Sequence, residues 1–260
     1  MTLGGELINQ GGPTNLALRH DMSVAVLTGA GVSAESGIST FRDSDGLWSR
    51  YDIEKVGTLP GFLKDPEAAW KLYSELRKLA LRSQPNPAHL ALARLEKRLR
   101  SRGRFTLVTQ NVDGLHRRAG NENVLPIHGS LFLTRCSNND CASSQRAFED
   151  LEDHSDTIPL CPECGAPLRP DVVLFGEPLD MEIEMMARRA VEDCDVFIAV
   201  GTSGAVFPAA GYVSSAASMG ARTVLVNLEP AENIAFFNEF HQGQAGKILP
   251  ALLDFHEDGV

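Results

Sequence analysis

Long apolar runs are missing from this sequence: nothing approaches the roughly 18 consecutive apolar residues that cross a bilayer as a helix. The first residues, MTLGGELINQGG, also lack the basic start and apolar run of a secretory leader. We therefore expect a soluble, cytoplasmic protein with no membrane partner.

Positive charge is scarce as well. The chain has 24 Lys and Arg against 34 Asp and Glu, a formal net charge of -10. Binding to a nucleic acid backbone needs clustered cations, so we expect no nucleic acid partner and favour a basic protein segment instead. Hydrophobic residues make up 43% of the chain, which is enough for a folded core.

Cysteine is rare, but four of the five cysteines lie close together. Cys136 and Cys141 form a CxxxxC pair, and after 19 intervening residues Cys161 and Cys164 form a CxxC pair. Two pairs of thiolates suit a closed tetrahedral zinc site better than disulfides, and a site filled by four protein ligands indicates a structural metal. Cys194, at a predicted helix end, is interpreted as a core residue.

Buried strands and amphipathic helices alternate along the chain. Apolar runs at 24–29, 105–110, 196–201 and 223–228 predict strands buried on both faces, and helices are predicted over 65–83, 86–100 and 181–194. This order predicts an α/β fold, a Rossmann-like doubly wound parallel sheet. We assign 1–129 and 171–260 to that domain, with a helical lid segment at about 40–85. Residues 130–170 show little helical or strand period, and we assign them to a small inserted zinc-binding module.

A glycine-rich loop follows the first predicted strand. In GAGVSAESGISTFR, Gly29, Gly31 and Ala34 fit GxGxxA, in which glycines let the backbone approach a pyrophosphate and a following helix N-terminus attracts it. A tight turn without a ligand is the alternative. No strand ending in an acid follows about 20 residues later, as an ordinary dehydrogenase requires. Such an acid comes only at Glu229, which predicts a different orientation of the cofactor.

Further motifs resemble those of the sirtuin family, in particular its bacterial, CobB-like branch. They are TQNVDGLH (109–116), HGS (128–130), VVLFGE (172–177), GTSGAVFPAA (201–210) and NLEP (227–230), so that the resemblance spans residues 24–230. It implies a Rossmann domain with a zinc module, and a cleft in which NAD meets an acyl-lysine chain. The implied products are nicotinamide, free lysine and O-acyl-ADP-ribose.

The resemblance assigns the catalytic roles to three residues. His128 is the implied general base, which takes a ribose hydroxyl proton so that the sugar attacks the imidate formed with the acyl oxygen. Asn111 and Asp113 are implied to orient the nicotinamide ribose and its carboxamide. An ordinary Asn-Val-Asp-Gly turn and a merely structural histidine are the alternatives for these positions.

The same resemblance implies a set of NAD contacts. Phe41 would shield the reactive ribosyl carbon from water, and Ala245 would lie beside the adenine. The full implied set is Gly29, Ala30, Gly31, Ser33, Phe41, Arg42, Trp48, Gln110, Asn111, Asp113, Gly201, Thr202, Ser203, Asn227, Glu229 and Ala245.

Substrate contacts are implied at two places. An extended peptide would add to VVLFGE, with Val173, Phe175 and Gly176 nearest the lysine. In sirtuins that prefer acidic acyl groups, a Tyr and an Arg three residues later grip the acyl carboxylate. Here Tyr73 is present, but position 76 is Leu and the arginine is Arg77. We predict that Tyr73 and Arg77 line the pocket, and the choice between acetyl and acidic acyl groups stays open.

Three rival functions remain at this point. A protein mono-ADP-ribosyltransferase would use the same NAD cleft. A dehydrogenase is disfavoured by the missing acid, and a non-catalytic binding module is disfavoured by the joint presence of Asn111, Asp113 and His128.

Overall fold

A computed structural model describes residues 15–40 and 50–254 of the chain. Its strands are β1 (Ser23–Thr28), β2 (Arg104–Thr109), β3 (Val124–Pro126), β4 (Gly129–Cys136), β5 (Phe148–Glu149), β6 (Leu168–Val172), β7 (Val196–Val200), β8 (Arg222–Asn227) and β9 (Glu239–Gln242). Its α-helices are α1 (Ile53–Val56), α2 (Leu59–Lys64), α3 (Pro66–Arg82), α4 (Pro87–Leu99), α5 (Leu115–Arg118), α6 (Met181–Glu192), α7 (Tyr212–Ser218) and α8 (Ala245–Leu252).

The main sheet has six strands in the order β3-β2-β1-β7-β8-β9, and every neighbouring pair runs parallel. This order is that of a doubly wound Rossmann sheet. In such a sheet the strands are added first on one side of the first strand and then on the other, so that the strand order reverses at the junction of the first and fourth strands. Here the junction lies between β1 and β7. The predicted α/β class is confirmed, and the four predicted strands form the contiguous centre of the sheet.

The strands read as continuous apolar runs because helices cover both faces of the sheet. Val24 and Val26 of β1 pack on one face with apolar residues of α4 and α8. Ala25 and Leu27 point to the other face and pack with α6 and α7. Both faces of β1 therefore belong to the core, and the strand has no polar side except at its end.

The three predicted helices form close to the expected bounds because each has a capping signal. The side chains of Asp65 and Asn86 accept backbone N–H bonds at the starts of α3 and α4, and both helices begin with proline. Asp180 caps α6 in the same way. A third apolar cluster joins α1, α2 and α3 to β4 and β6.

Two features of the local structure were not predicted from the sequence. The region 130–170, whose sequence shows little helical or strand period, contains an antiparallel sheet, β5-β4-β6. Its strands carry polar residues, and β4 pairs with β6 through an irregular register between Ser130 and Thr134, so that no clear two-residue period is visible. The glycine loop, moreover, enters two short 3-10 turns, Ala30–Val32 and Ala34–Ser36, and not the expected helix.

Across residues 15–40 and 50–254, no helix combines the length and the apolar character needed to cross a membrane.

Candidate active site

The glycine loop meets the loop after β7 at the reversal point of the sheet. The N–H of Gly31 donates to the carbonyl of Gly201 at 2.9 Å. A Cβ on Gly29 or on Gly31 would lie only 2.7 Å from backbone atoms of Gly201. Gly201 itself has a φ of +61° and faces the backbone of Val32. Only glycines allow this contact, which holds the loop close to the sheet where parallel sheets bind ligands.

A hydrogen-bonded polar cluster lies at the carboxyl ends of β1 and β2. The Ser33 hydroxyl donates to Asp113 Oδ2 at 2.7 Å, and Asn111 Nδ2 donates to Ser33 Oγ at 3.2 Å and to the Gly29 carbonyl at 3.1 Å. Asp113 Oδ1 accepts the N–H of Leu115 at 2.9 Å. Burial raises the pKa of the Asp113 carboxyl above its usual value, although these donors oppose the rise. The fold thus brings together three of the predicted NAD contacts.

His128 precedes β4 and lies beside the same cluster. Its Nδ1 is 3.1 Å from the carbonyl oxygen of Gln110. A carbonyl only accepts, so Nδ1 carries the proton in this contact and Nε2 keeps a free lone pair. No described residue hydrogen-bonds Nε2. Burial lowers the pKa of His128 below its usual value, so the ring is neutral near pH 7 and can accept a proton.

Gln110 also connects the two halves of the sheet. Its Nε2 donates to the Thr202 hydroxyl at 3.1 Å, and Asn227 Nδ2 donates to the Thr202 carbonyl at 3.0 Å. Ser203 Oγ accepts the N–H of Ala205, and the exposed Glu229 follows β8. These residues therefore form a line along the carboxyl edges of β2, β7 and β8.

The first turn of α8 closes the far end of this line. Ala245 is its first residue and is buried. The next N–H, that of Gly246, donates to the carboxylate of Glu35 at 2.6 Å. Glu35 belongs to the second 3-10 turn of the glycine loop, so the two ends of the predicted NAD site are bonded to each other. Ala30 lies in the first of these turns.

Three predicted NAD contacts, Phe41, Arg42 and Trp48, lie outside the described residues. Two buried histidines that the sequence interpretation did not assign lie directly behind the cluster. His89 Nε2 is 3.4 Å from Ser33 Oγ, His116 Nε2 is 2.9 Å from Thr28 Oγ1, and the two rings are 4.7 Å apart. Burial lowers the pKa of both, that of His89 to about 4. His116 was visible in the TQNVDGLH motif, whereas His89 follows an ordinary helix cap.

The predicted peptide segment runs past His128. The N–H of Val173 donates to the His128 carbonyl at 2.9 Å, and the N–H of Phe175 donates to the Gly57 carbonyl at 2.8 Å. Phe175 is 52% exposed, and Gly176 is exposed beside it. The exposed residues of this segment thus follow directly on the residue that is bonded to His128.

Tyr73 and Arg77 both lie on α3 but face different surroundings. Tyr73 packs in the apolar cluster with Leu76 and Leu174, and the charges that act on its hydroxyl are those of Arg169 and Glu177. Burial raises the pKa of the Tyr73 hydroxyl.

The guanidinium of Arg77 is turned toward the cysteine-containing module. Its nitrogens donate to the carbonyls of Leu131 and Glu152, both at 2.8 Å, and to the Thr134 hydroxyl at 3.2 Å. It also forms an ion pair with Asp150 at 3.5 Å, and Arg77 is only 2% exposed. This geometry gives no support to the prediction that Arg77 grips an acyl group.

The four cysteines of the two pairs come together at the end of the module. All their Sγ atoms lie within 4.8 Å of one another, with 3.5 Å between Cys136 and Cys164 and 3.9 Å between Cys141 and Cys161. Thiolates held at about 2.3 Å around one zinc ion would be about 3.8 Å apart, so the donor set fits tetrahedral zinc. The four cysteines would fill all four positions of a tetrahedral site, so a metal bound there would have no open position for catalysis.

Fold and site together define a class: an α/β protein with a glycine-rich loop and a polar cluster at the point where the strand order of a Rossmann-like sheet reverses, and with a four-cysteine cluster next to a second, antiparallel sheet. Comparison with known proteins names the family. The model of the Sir2 family matches residues 29–208, and the chain belongs to this family.

Relatives cover nearly the whole chain. The NAD-dependent protein deacylase SIR2rp3 of Leishmania major is 45% identical over 237 residues, which are 89% of this chain and 94% of the relative. An NAD-dependent protein deacylase of Salmonella typhimurium is 47% identical over 238 residues, 89% of this chain and 82% of the relative.

Solved structures of Sir2 proteins are similar to this structure. A Sir2 homolog–NAD complex has a TM-score of 0.81 and 40% identity, with 90% of this chain and 89% of the other covered. A Sir2 protein bound to an acetylated peptide has a TM-score of 0.75 and 28% identity, with 87% and 90% covered.

Proposed function

We propose that this protein is an NAD-dependent protein-lysine deacylase that works with His128 as its general base. NAD is the co-substrate, and zinc is held by the four cysteines as a structural metal. The observation that carries the proposal is the convergence of His128 with the Ser33, Asn111 and Asp113 cluster at the reversal point of the sheet. The named activity of the relatives supports the same function.

His128 is prepared for its role by its contact with Gln110. Because Nδ1 donates to that carbonyl, Nε2 is the atom that takes a proton from a ribose hydroxyl. When bound, NAD supplies the ADP-ribose that accepts the acyl group, with release of nicotinamide and free lysine. Burial keeps His128 unprotonated at neutral pH, so the base is ready without a prior proton loss.

Ser33, Asn111 and Asp113 would bind the nicotinamide end of NAD. The amide nitrogen of Asn111 is already committed to Gly29 and Ser33, which fixes the direction in which its oxygen points. Asp113 is held on both carboxylate oxygens by Ser33 and Leu115. These side chains are therefore preorganised, and they need little rearrangement when the cofactor arrives.

We further propose that the preferred acyl group is neutral. An acidic acyl group needs an uncompensated cation near Tyr73. Arg77 is paired with Asp150 and faces the module, and Arg169 is paired with Glu177. The residue one helical turn from Tyr73 is Leu76, which is buried among apolar side chains. An acyl carboxylate placed there would be desolvated without a partner.

The acyl-lysine peptide would lie along Val173, Phe175 and Gly176, next to His128. Because zinc ligation needs reduced thiols, we place the protein in the cytoplasm. We also retain the division into a Rossmann domain (1–129 and 171–260) and a zinc-binding module (130–170).

The test is turnover, by mass spectrometry, of one lysine peptide carrying either acetyl or succinyl, with NAD present and absent. We expect NAD-dependent loss of acetyl with release of O-acetyl-ADP-ribose, slower loss of succinyl, and no turnover by His128→Ala. Transfer of label from NAD onto protein, with no loss of acyl group, would instead identify a mono-ADP-ribosyltransferase. Formation of reduced cofactor would identify a dehydrogenase.

A further inference from the structure

A buried ion pair closes the segment from Val172 to Glu177. Arg169 of β6 donates to both carboxylate oxygens of Glu177, at 2.6 and 2.8 Å, and to the Val172 carbonyl at 2.6 Å. The same carboxylate accepts the N–H of Leu174 at 2.8 Å. The two side chains are only 3% and 15% exposed. Two charged groups thus bind the start, the middle and the end of one short segment.

The segment is a tight turn with its tip outward. The N–H of Glu177 donates to the Leu174 carbonyl at 3.0 Å, and Gly176, the third residue of the turn, has a φ of +88°. This is the geometry of a type II turn, in which glycine is favoured at that position. Phe175 lies at the outer corner and is half exposed. The backbone of the turn is therefore defined by its own sequence, and the ion pair fixes where the turn lies.

The segment is also bonded to the proposed base. Val173 donates its N–H to the carbonyl of His128, whose ring is oriented by Gln110. A shift of the turn would therefore move the main chain of His128 together with the surface along which the peptide is proposed to lie. Bidentate arginine–carboxylate pairs are suited to this role because both partners have one preferred geometry.

We propose that Arg169 and Glu177 are positioning residues for the acyl-lysine peptide: their ion pair sets the place of the 172–177 turn relative to His128. This inference rests on the proposed deacylase function. A buried ion pair contributes little net stability compared with apolar residues of the same size, so stability alone does not explain its presence. The pair hydrogen-bonds none of the proposed NAD-binding residues, so its loss should affect the peptide and His128 and leave KM for NAD unchanged.

Two variants test the proposal in the full-length, zinc-loaded protein. Glu177→Gln keeps the size of the side chain but leaves one oxygen to serve both Arg169 and the N–H of Leu174. Because this change leaves Arg169 buried without a counter-charge and can unfold the protein, the double variant Arg169→Met/Glu177→Met is the second test. It removes both charges and the bonds to Val172 and Leu174.

Glu239→Gln is the matched control. Glu239 pairs with Arg222 and is 16% exposed, close to the value for Glu177, but it lies at the amino end of β9, away from the site. For each protein, KM for an acetyl-lysine peptide, KM for NAD, kcat and the thermal midpoint are measured. Affinity for the acetylated peptide is measured separately by fluorescence anisotropy.

We expect both test variants to raise KM and Kd for the peptide about tenfold, equivalent to about 1.4 kcal/mol, with KM for NAD unchanged. Glu239→Gln should change neither KM. A folded double variant with unchanged peptide KM and Kd would overturn the proposal, as would an equal rise of the peptide and NAD values. If the wild-type protein binds the peptide but does not deacylate it, the proposed function fails, and the anisotropy series still decides the role of the pair.

Discussion

Gly31 and Gly201 meet backbone to backbone, 2.9 Å from the N–H of one to the carbonyl oxygen of the other. The contact joins the loops after β1 and β7, the two strands at which the sheet reverses. It leaves no room for a side chain on either residue. It also fixes the position of the two loops against which the dinucleotide is proposed to bind.

Gly31→Ala should therefore weaken NAD binding. Its Cβ would lie 2.7 Å from Gly201 Cα, which is rigid backbone, so the two loops must separate. We expect Kd and KM for NAD to rise at least about tenfold, a loss of about 1.4 kcal/mol of binding free energy. Isothermal titration calorimetry would measure Kd. Gly211→Ala is the control, since its Cβ would meet only the Phe207 ring, at 3.8 Å. Equal NAD affinity of the two variants would contradict the prediction.

The pH dependence of turnover should follow His128. Burial lowers the pKa of His128 below 6.5, and only the neutral ring accepts a proton. The value of kcat should therefore be highest at the alkaline end of the range and fall as the pH decreases, with a midpoint below the ordinary histidine value of about 6.5. The measurement is kcat from pH 5 to 8, with circular dichroism to show that the protein stays folded. A midpoint above pH 7 would be incompatible with His128 as the titrating base.

Removal of one zinc ligand should unfold the cysteine-rich module. Cys161→Ser replaces a buried thiol, one of the four that form the cluster, and ligand loss removes metal-binding free energy that contributes to folding. We expect loss of bound zinc by elemental mass spectrometry and a lower thermal midpoint. Cys194→Ser is the control, because Cys194 lies outside the cluster and donates to the Val191 carbonyl, which serine can also do. A zinc-loaded, active Cys161→Ser protein would refute the structural metal.

Arg77→Ala should act on stability and not on acyl choice. The substitution leaves the 8% exposed Asp150 without its cation and removes three hydrogen bonds to the module. Breaking a buried ion pair from one side costs roughly 3 to 5 kcal/mol, which urea unfolding would measure. The ratio of acetyl to succinyl turnover should stay constant in whatever fraction remains folded. A selective loss of succinyl turnover would instead support the prediction that Arg77 lines the acyl pocket.

Leu76→Arg should shift acyl preference from acetyl toward succinyl. It places a cation one helical turn from Tyr73, where the apolar cluster now offers none to an acyl carboxylate. We expect the succinyl to acetyl ratio of kcat/KM to rise about tenfold or more, at some cost in stability from the buried charge. Leu81→Arg on the exposed side of α3 is the control, since Leu81 is 43% exposed. An unchanged ratio in Leu76→Arg would mean that Tyr73 does not line the acyl pocket.

Much of the framework was predictable from the sequence. Strands such as β1 and β7 are uninterrupted apolar runs buried on both faces, which gives a strong local signal. The cysteine spacing likewise predicted a cluster that the fold brings together. The motif residues Ser33, Asn111 and Asp113 were predicted individually, but their hydrogen bonds depend on strands far apart in the chain.

Other features could not be predicted because their cause is tertiary. The β4–β6 pairing joins residues about 40 positions apart through an irregular register, so neither strand shows a clear period of its own. The direction of Arg77 depends on Asp150 and on carbonyls of the module, although helical geometry alone allowed it to face Tyr73. Nothing in the sequence connected Arg169 with Glu177, and only the fold buries them together.

The line of proposed NAD contacts lies in loops beyond the carboxyl ends of β1, β2, β7 and β8, while the strand interiors hold the apolar core. Folding free energy and chemistry are therefore supplied by different residues. Selection, in nature or in the laboratory, can exchange one of these loops for another and test a new substrate without dismantling the sheet that carries it.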